Sequence, residues 1–169
     1  MSLDSKIDRD RIQRRQNRED LNVFSRLPAV YSTSRKQGQQ LLQIGGGLSI
    51  VEWRTLWDLH EAGPMTIRDL STIQRTDHSL LSRALPDMKR KGYVRMERSE
   101  EDGRQTIVEL TDEGRSAYET AAPIMARRRA ALRERFSDEE IRTFTGFLDR
   151  FEEFLQIPVD QILNQETAE

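Results

Sequence analysis

Cysteine is absent from the 169 residues. That excludes disulfides, zinc–thiolate sites and thiol redox sensing, and it agrees with a reducing cytoplasm. Histidine occurs twice, at His60 and His78, without metal-ligand spacing, so no metal or cofactor is expected. No apolar run approaches the ~20 residues that span a bilayer, and the first residues are too polar for a secretory signal. No membrane association is expected, and the expected location is the cytoplasm. Signatures of catalysis are missing too: there is no Gly-x-Ser-x-Gly, no phosphate loop and no dinucleotide fingerprint. The Gly45-Gly46-Gly47 run lacks a following Lys-Ser/Thr and reads as a helix stop. The abundant carboxylates fall on polar helix faces, where solvation is the default. No enzyme is expected.

Strong net charge is also lacking, at −2, yet the charge is unevenly spread. Residues 1–36 hold nine Lys/Arg against five Asp/Glu, and residues 137–169 hold two against nine. Such asymmetry indicates surfaces with different roles, or simply solvated helix faces. The chain length suits one domain or two small lobes sharing a core. The lean apolar share suggests that some apolar surface is buried between subunits.

Periodicity gives the order of elements. Residues 1–20 are a charged arm or helix. Leu21, Phe24, Leu27, Tyr31, Leu41, Leu42 and Ile44 mark a long helix, bent near Pro28. Ser49 to Glu52 has capping-box spacing and opens a helix carrying Trp53, Leu56, Trp57 and Leu59, ending at Gly63 and Pro64. A second box, Thr66 to Asp69, opens a short helix. Thr76 or Asp77 caps the next, which turns Leu81, Ala84, Leu85 and Met88 inward and stops at Lys91 and Gly92. The period then becomes two: Tyr93 to Arg98 and Thr106 to Leu110 read as strands around a polar turn with Asp102-Gly103. Thr111, Asp112 and Glu113 start a helix running to about Arg135, with a kink at Pro123. Ser137 to Glu140 caps a final helix with a broad stripe of Ile141, Phe144, Phe147, Leu148, Phe151, Phe154 and Leu155.

The fold class is therefore mainly α with a small β-hairpin. Residues 48–110 have the layout of a winged helix-turn-helix, in which a short helix, a tight turn and a longer helix present the longer one to a DNA major groove. The outward positions early on that helix are Thr76, His78, Ser79, Ser82 and Arg83. Arg can read guanine O6 and N7, and the small hydroxyls suit bases or phosphates. Lys89, Arg90 and Lys91 at the far end suit phosphates. In the wing, Arg98 and Arg104 suit a narrow minor groove. Against this, residues 65–110 carry nine basic and eight acidic groups, and a nearly neutral winged helix also fits a protein-interaction module that has no specific DNA binding.

Three stretches resemble the multiple-antibiotic-resistance regulator (MarR) family. Gly47 to Leu56 reads Gly-Leu-Ser-Ile-Val-Glu-Trp-Arg-Thr-Leu, similar to the family's Gly-Leu-Thr-x-x-Gln-Trp-x-x-Leu. Leu81 to Val94, ending Met-Lys-Arg-Lys-Gly-Tyr-Val, resembles the recognition helix and its exit. Arg98, Asp102, Arg104, Leu110, Thr111 and Gly114 resemble the wing and its Leu-Thr-x-x-Gly sequel. The likeness covers roughly residues 20–155. It implies a homodimer with intertwined terminal helices, a pseudo-palindromic double-stranded DNA operator, and often repression relieved by a small aromatic ligand. By position it assigns Ser79, Ser82 and Arg83 to base reading, Arg104 to the wing tip, and Asp102 to orienting the wing by pairing with an arginine.

On this reading residues 48–110 are the DNA-binding lobe, and residues 21–47 and 111–169 are dimerisation helices. Tyr31, Trp53, Trp57 and His60 are candidates to line a ligand cleft between them, although both tryptophans also suit a core and His60 a helix end. Two departures stand out. Pro86 lies within the recognition helix, where it removes a hydrogen bond to the Ser82 carbonyl and is expected to bend the helix. Gly103 stands where the family commonly has arginine.

Overall fold

The computed structural model describes residues 7–100 and 102–164. The start of the expected arm and the tail beyond Asn164 lie outside them. The chain divides into two compact units, Met1–Met125 and Ala126–Glu169. The first holds α1 (Arg9–Asp20), α2 (Val23–Ile44), α3 (Ile50–Ala62), β1 (Met65–Thr66), α4 (Ile67–Gln74), α5 (His78–Arg90), β2 (Val94–Arg98) and β3 (Thr106–Leu110). Helix α6 (Asp112–Arg133) begins in the first unit and ends in the second, which also holds α7 (Asp138–Leu155) and α8 (Val159–Asn164).

Helix starts follow side-chain chemistry. Asp8 accepts the Arg11 amide at 2.8 Å and opens α1. Asn22 caps α2, which continues unbroken through Pro28. Leu21 therefore belongs to the junction and not to the long helix expected from it. Reciprocal capping boxes close at Ser49/Glu52, Thr66/Asp69 and Ser137/Glu140, satisfying amide donors that a helix leaves open in its first turn. Gly45 to Gly47 end α2, with Gly47 donating to the Leu42 carbonyl at 2.9 Å.

The sheet has the order β1-β3-β2 and is antiparallel throughout. The expected hairpin forms with Val94 opposite Leu110 and Arg98 opposite Thr106. The short β1, pairing Met65 with Val108, was not visible in the sequence, since two residues carry no readable alternation. Nor was α8.

One apolar core fills the first unit. Leu56 and Leu59 of α3, Leu70 of α4, and Leu81, Leu85 and Met88 of α5 are buried with Val94 and Val108 of the sheet. This core is not confined to residues 48–110, because Leu42 of α2 and Ala121 and Met125 of α6 belong to it. Among the described residues, every buried side-chain nitrogen and oxygen has a hydrogen-bond partner. In the second unit, α7 and α8 contain no buried residue.

The start of α6 is built tightly against the end of α5. Thr111 Oγ1 donates to the Gly92 carbonyl at 2.5 Å and accepts the Gly114 amide at 3.0 Å, while the Thr111 amide donates to the Tyr93 carbonyl. A Cβ on Gly114 would fall 2.0 Å from the Tyr93 carbonyl oxygen. Backbone cannot yield as a flexible side chain does, so Gly114→Ala is expected to lower stability by at least the roughly 1–3 kcal/mol typical of overpacking. Urea unfolding followed by circular dichroism measures it, and a stability equal to that of the unaltered chain would show that the α5–α6 junction is looser than described.

Candidate nucleic-acid interface

The approach to α5 is a tight turn through Arg75, Thr76 and Asp77. Arg75 takes a left-handed conformation with φ 47°, uncommon for a residue with a side chain. The turn is fastened from behind. Gln74 is buried and donates its amide to Asp58 Oδ2 at 2.9 Å and Thr55 Oγ1 at 3.3 Å, while its carbonyl accepts from Arg54 Nη2 at 2.5 Å. Burial pushes the Asp58 carboxyl above its ordinary pKa, against the lowering effects of the Gln74 hydrogen bond and the Arg54 charge. Thr76 is half-buried and its amide donates to the Ser71 carbonyl at 3.1 Å.

Asp77, and not Thr76, caps α5 by accepting the Ser79 amide at 2.8 Å. Hydrogen bonds from the Ser79 amide and hydroxyl hold its carboxyl below the ordinary value. Leu81, Leu85 and Met88 take the inner face of the helix, leaving Ser79, Ser82 and Arg83 exposed away from it and His78 exposed at its first turn. Ser82 Oγ lies 3.1 Å from His78 Nδ1, and Arg83 Nε donates to the Ser79 carbonyl at 3.1 Å, which draws the guanidinium back along the first turns. The structure thus gathers four of the expected base-facing residues on one surface. Helix α5 runs continuously from His78 to Arg90 through Pro86.

The three basic residues at the far end divide. Arg90 pairs with Asp87 at 2.7 Å, and Lys91 pairs with Glu52 at 2.6 Å. The Lys89 side chain is exposed with no hydrogen bond or ion pair among the described residues, and so remains the best placed for a phosphate.

The wing turn is organised by Asp102 in a way the sequence did not indicate. Its carboxylate accepts from the Arg104 backbone amide at 3.1 Å and from Gln105 Nε2 at 3.0 Å. Among the described residues, the expected pairing of Asp102 with an arginine side chain is not made. An Asx-type turn onto its own backbone satisfies the carboxylate, and Arg98 Nη1 donates instead to the Gly103 carbonyl at 3.3 Å. Arg98 and Arg104 are both exposed.

The candidate ligand residues are placed unequally. Trp53 is a core residue, stacked on Tyr118 with ring centroids 5.3 Å apart and 5.8 Å from the Trp57 ring. His60 stacks on the same tyrosine at 4.2 Å, and Arg115 Nη1 lies 3.4 Å from His60 Nδ1. These form one aromatic cluster between α3 and α6. Tyr31 is exposed, its hydroxyl accepting from Arg35 Nη1 at 3.3 Å. Tyr118 and Arg115 were missed in the sequence, although Gly114, Tyr118, Ala121 and Met125 repeat at spacings of three and four. Among the described residues no three His, Asp or Glu side chains are grouped to hold a metal ion.

A helix docked on a three-stranded sheet, with a polar outer face and a flanking hairpin, defines a winged helix-turn-helix protein. Residues 46–105 match the sequence model of the MarR family. The chain is 37% identical over 67 residues to the HTH-type transcriptional repressor IacR of Pseudomonas putida, covering 40% of each chain. It is 28% identical over 118 residues to the HTH-type transcriptional regulator YwoH of Bacillus subtilis, covering 70% of this chain and 84% of that one. A MarR family regulator from Streptomyces coelicolor, solved in complex with DNA, superposes with a TM-score of 0.71 at 24% identity over 84% of this chain and 90% of that one. The regulator MOSR of M. tuberculosis, also solved with DNA, gives 0.67 at 22% identity over 80% and 98%. The likeness to the MarR family thus lies in the winged-helix lobe, residues 46–105, and the solved regulators share the fold.

Because the Asp77 carboxyl titrates lower when α5 is folded, its stabilising effect is full above the ordinary carboxylate pKa of 3.8 and is lost as pH falls through the lowered value. Asp77→Asn keeps a capping oxygen but removes that titration. Its stability deficit relative to the unaltered chain is expected at neutral pH and should shrink below pH ~3.8. Thermal melts at pH 7 and pH 3 make the comparison; an equal deficit at both would mean that the carboxylate charge is not what holds the cap.

Proposed function

We propose that this chain is a homodimeric, DNA-binding repressor that reads a pseudo-palindromic operator through α5 and the wing and that a small aromatic ligand releases. One observation carries the reading. The inner face of α5 is fully used in the core while its outer face presents Ser79, Ser82 and Arg83, with His78 exposed at its first turn and the exposed Arg98 and Arg104 in the wing after it. Arg83 reads a base edge, Ser79 and Ser82 serve bases or phosphates, and Lys89 holds phosphate. Thr76 and Asp102 act by shaping the turns on either side.

The dimer reading rests on exposed apolar surface. Phe144, Phe147, Leu148, Phe154 and Leu155 are exposed along α7, and Val159 and Leu163 along α8. Cover by a second copy removes that surface from water and sets two recognition helices about one DNA turn, ~34 Å, apart. The repressor reading is supported by the named repressor among the relatives. For the ligand, the aromatic cluster of Trp53, Trp57, His60 and Tyr118 supplies the stacking chemistry, with Tyr31 as a further ring on α2. No helix is long and apolar enough to cross a membrane among the described residues, and the cytoplasm is the proposed location.

Anisotropy titrations on the gene's own upstream duplex and on a shuffled duplex, at two salt concentrations, test the reading. A preference of about 10³ or more is expected. Arg83→Ala should reduce that preference by roughly tenfold, the worth of one good base contact. Lys89→Ala should weaken binding to both duplexes alike and lower the salt slope by about 0.9. Equal, weak binding to both duplexes by the unaltered chain would reject operator recognition and favour the protein-interaction module.

A further inference from the structure

Among the described residues, Glu52 is the most deeply buried carboxylate with an ion-pair partner, its side chain 8% exposed. It lies in the first turn of α3, where Oε2 accepts the Ser49 amide at 2.7 Å and Oε1 accepts from Lys91 Nζ at 2.6 Å. Lys91 is the last residue of the α5 turn, with its amide donating to the Asp87 carbonyl, and its ammonium lies 5.9 Å from the centroid of the Tyr93 ring. Burial alone would raise the Glu52 pKa, but hydrogen bonds from Lys91 and Ser49 outweigh it and leave the carboxyl below its ordinary value. The pair is therefore ionised at neutral pH and joins chain segments 39 residues apart.

The position of this pair matters because of Pro86. A proline nitrogen has no hydrogen to donate, so the ladder of α5 loses a bond in its middle, between the base-facing residues and the helix end. The segment beyond Pro86 is held by the burial of Met88 and by the Lys91–Glu52 contact. Lys91 also stands directly before Gly92, Tyr93 and strand β2, so its anchor bears on both the recognition helix and the wing.

We infer that Glu52 and Lys91 are positioning residues for DNA reading: their ion pair latches the C-terminal end of α5 to α3 and sets the angle at which helix and wing meet the duplex. Lys91, although its side chain is 52% exposed, is then engaged by Glu52 and is not a phosphate contact. The inference rests on the DNA-binding reading above.

The test uses the full chain and the same two duplexes. Glu52→Gln keeps an oxygen for the Ser49 amide but removes the charge that holds Lys91. Lys91→Met removes the cation and leaves the α3 capping box untouched, so it serves even where Glu52→Gln does not fold, with circular dichroism checking each variant. Both are expected to lower the preference for the upstream duplex by about tenfold, comparable to one lost base contact. Binding of the Lys91→Met variant to shuffled DNA should keep its salt slope, and Lys91→Arg, which can still reach the carboxylate, should restore the preference. Preferences unchanged in both variants would overturn the inference. So would a Lys91→Met variant that loses affinity equally on both duplexes with a slope lower by about 0.9, the mark of a phosphate contact. An unaltered chain with no preference would overturn the DNA-binding reading itself, and the inference with it, so the wild-type titration tells the two failures apart.

Discussion

The rest of the structure depends on the burial of one side of α5. A thirteen-residue helix is marginal alone in water, and this one contains a proline. Leu81, Leu85 and Met88, all fully buried, each contribute on the order of 1.5–3 kcal/mol by leaving water. That burial makes the helix persist. It also determines what the helix shows, because a 3.6-residue period that turns these three inward turns Ser79, Ser82 and Arg83 away from the core, with His78 exposed as the first residue of the helix. Function on the outer face follows from packing on the inner one.

Apolar burial is non-directional, and it does not set an angle between helices to the precision that base contacts require. Hydrogen bonds and ion pairs from α3 supply that direction. Arg54, Thr55 and Asp58 grip Gln74 just before the turn into α5, and Glu52 grips Lys91 just after the helix ends. Helix α3 thereby holds α5 at both ends while its own leucines fill the core between them. On the far side, Thr111 and Gly114 lock the start of α6 to Gly92 and Tyr93. The outward face of α5 is thus carried on a helix fastened at both ends.

The two compact units divide the surface chemistry. In the first, the polar outer face of α5 and the exposed wing arginines are the groups suited to a polyanion. In the second, α7 exposes much of Phe144, Phe147, Leu148 and Leu155. Such surface is costly to leave in water, which is the physical basis for assigning it to a second copy. The aromatic cluster on Tyr118 is the remaining feature with a chemistry of its own. It ties α6, through Trp53 and His60, to the helix that holds the recognition turn.

By itself the sequence determined the order and type of nearly every element, because those depend on local physics: apolar spacing, capping residues, and the Gly and Asp-Gly breaks. The capping boxes at Ser49, Thr66 and Ser137 and both strands of the wing were legible for that reason. So was the set of residues on the outer face of α5, since a helix period fixes which side chains share a face. What depended on distant partners was not legible. The two-residue strand β1 exists only because Val108 and Ile107 lie beside it. The partners of Asp102 are the Arg104 amide and the Gln105 side chain and not a guanidinium. Tyr118 stacks between Trp53 and His60 only once α6 packs on α3. Lys91 reads as one of three equivalent basic residues until tertiary packing brings a buried Glu52 to it. Charge and spacing are properties of the chain, but whether a charge faces water or a carboxylate is decided by what folds against it.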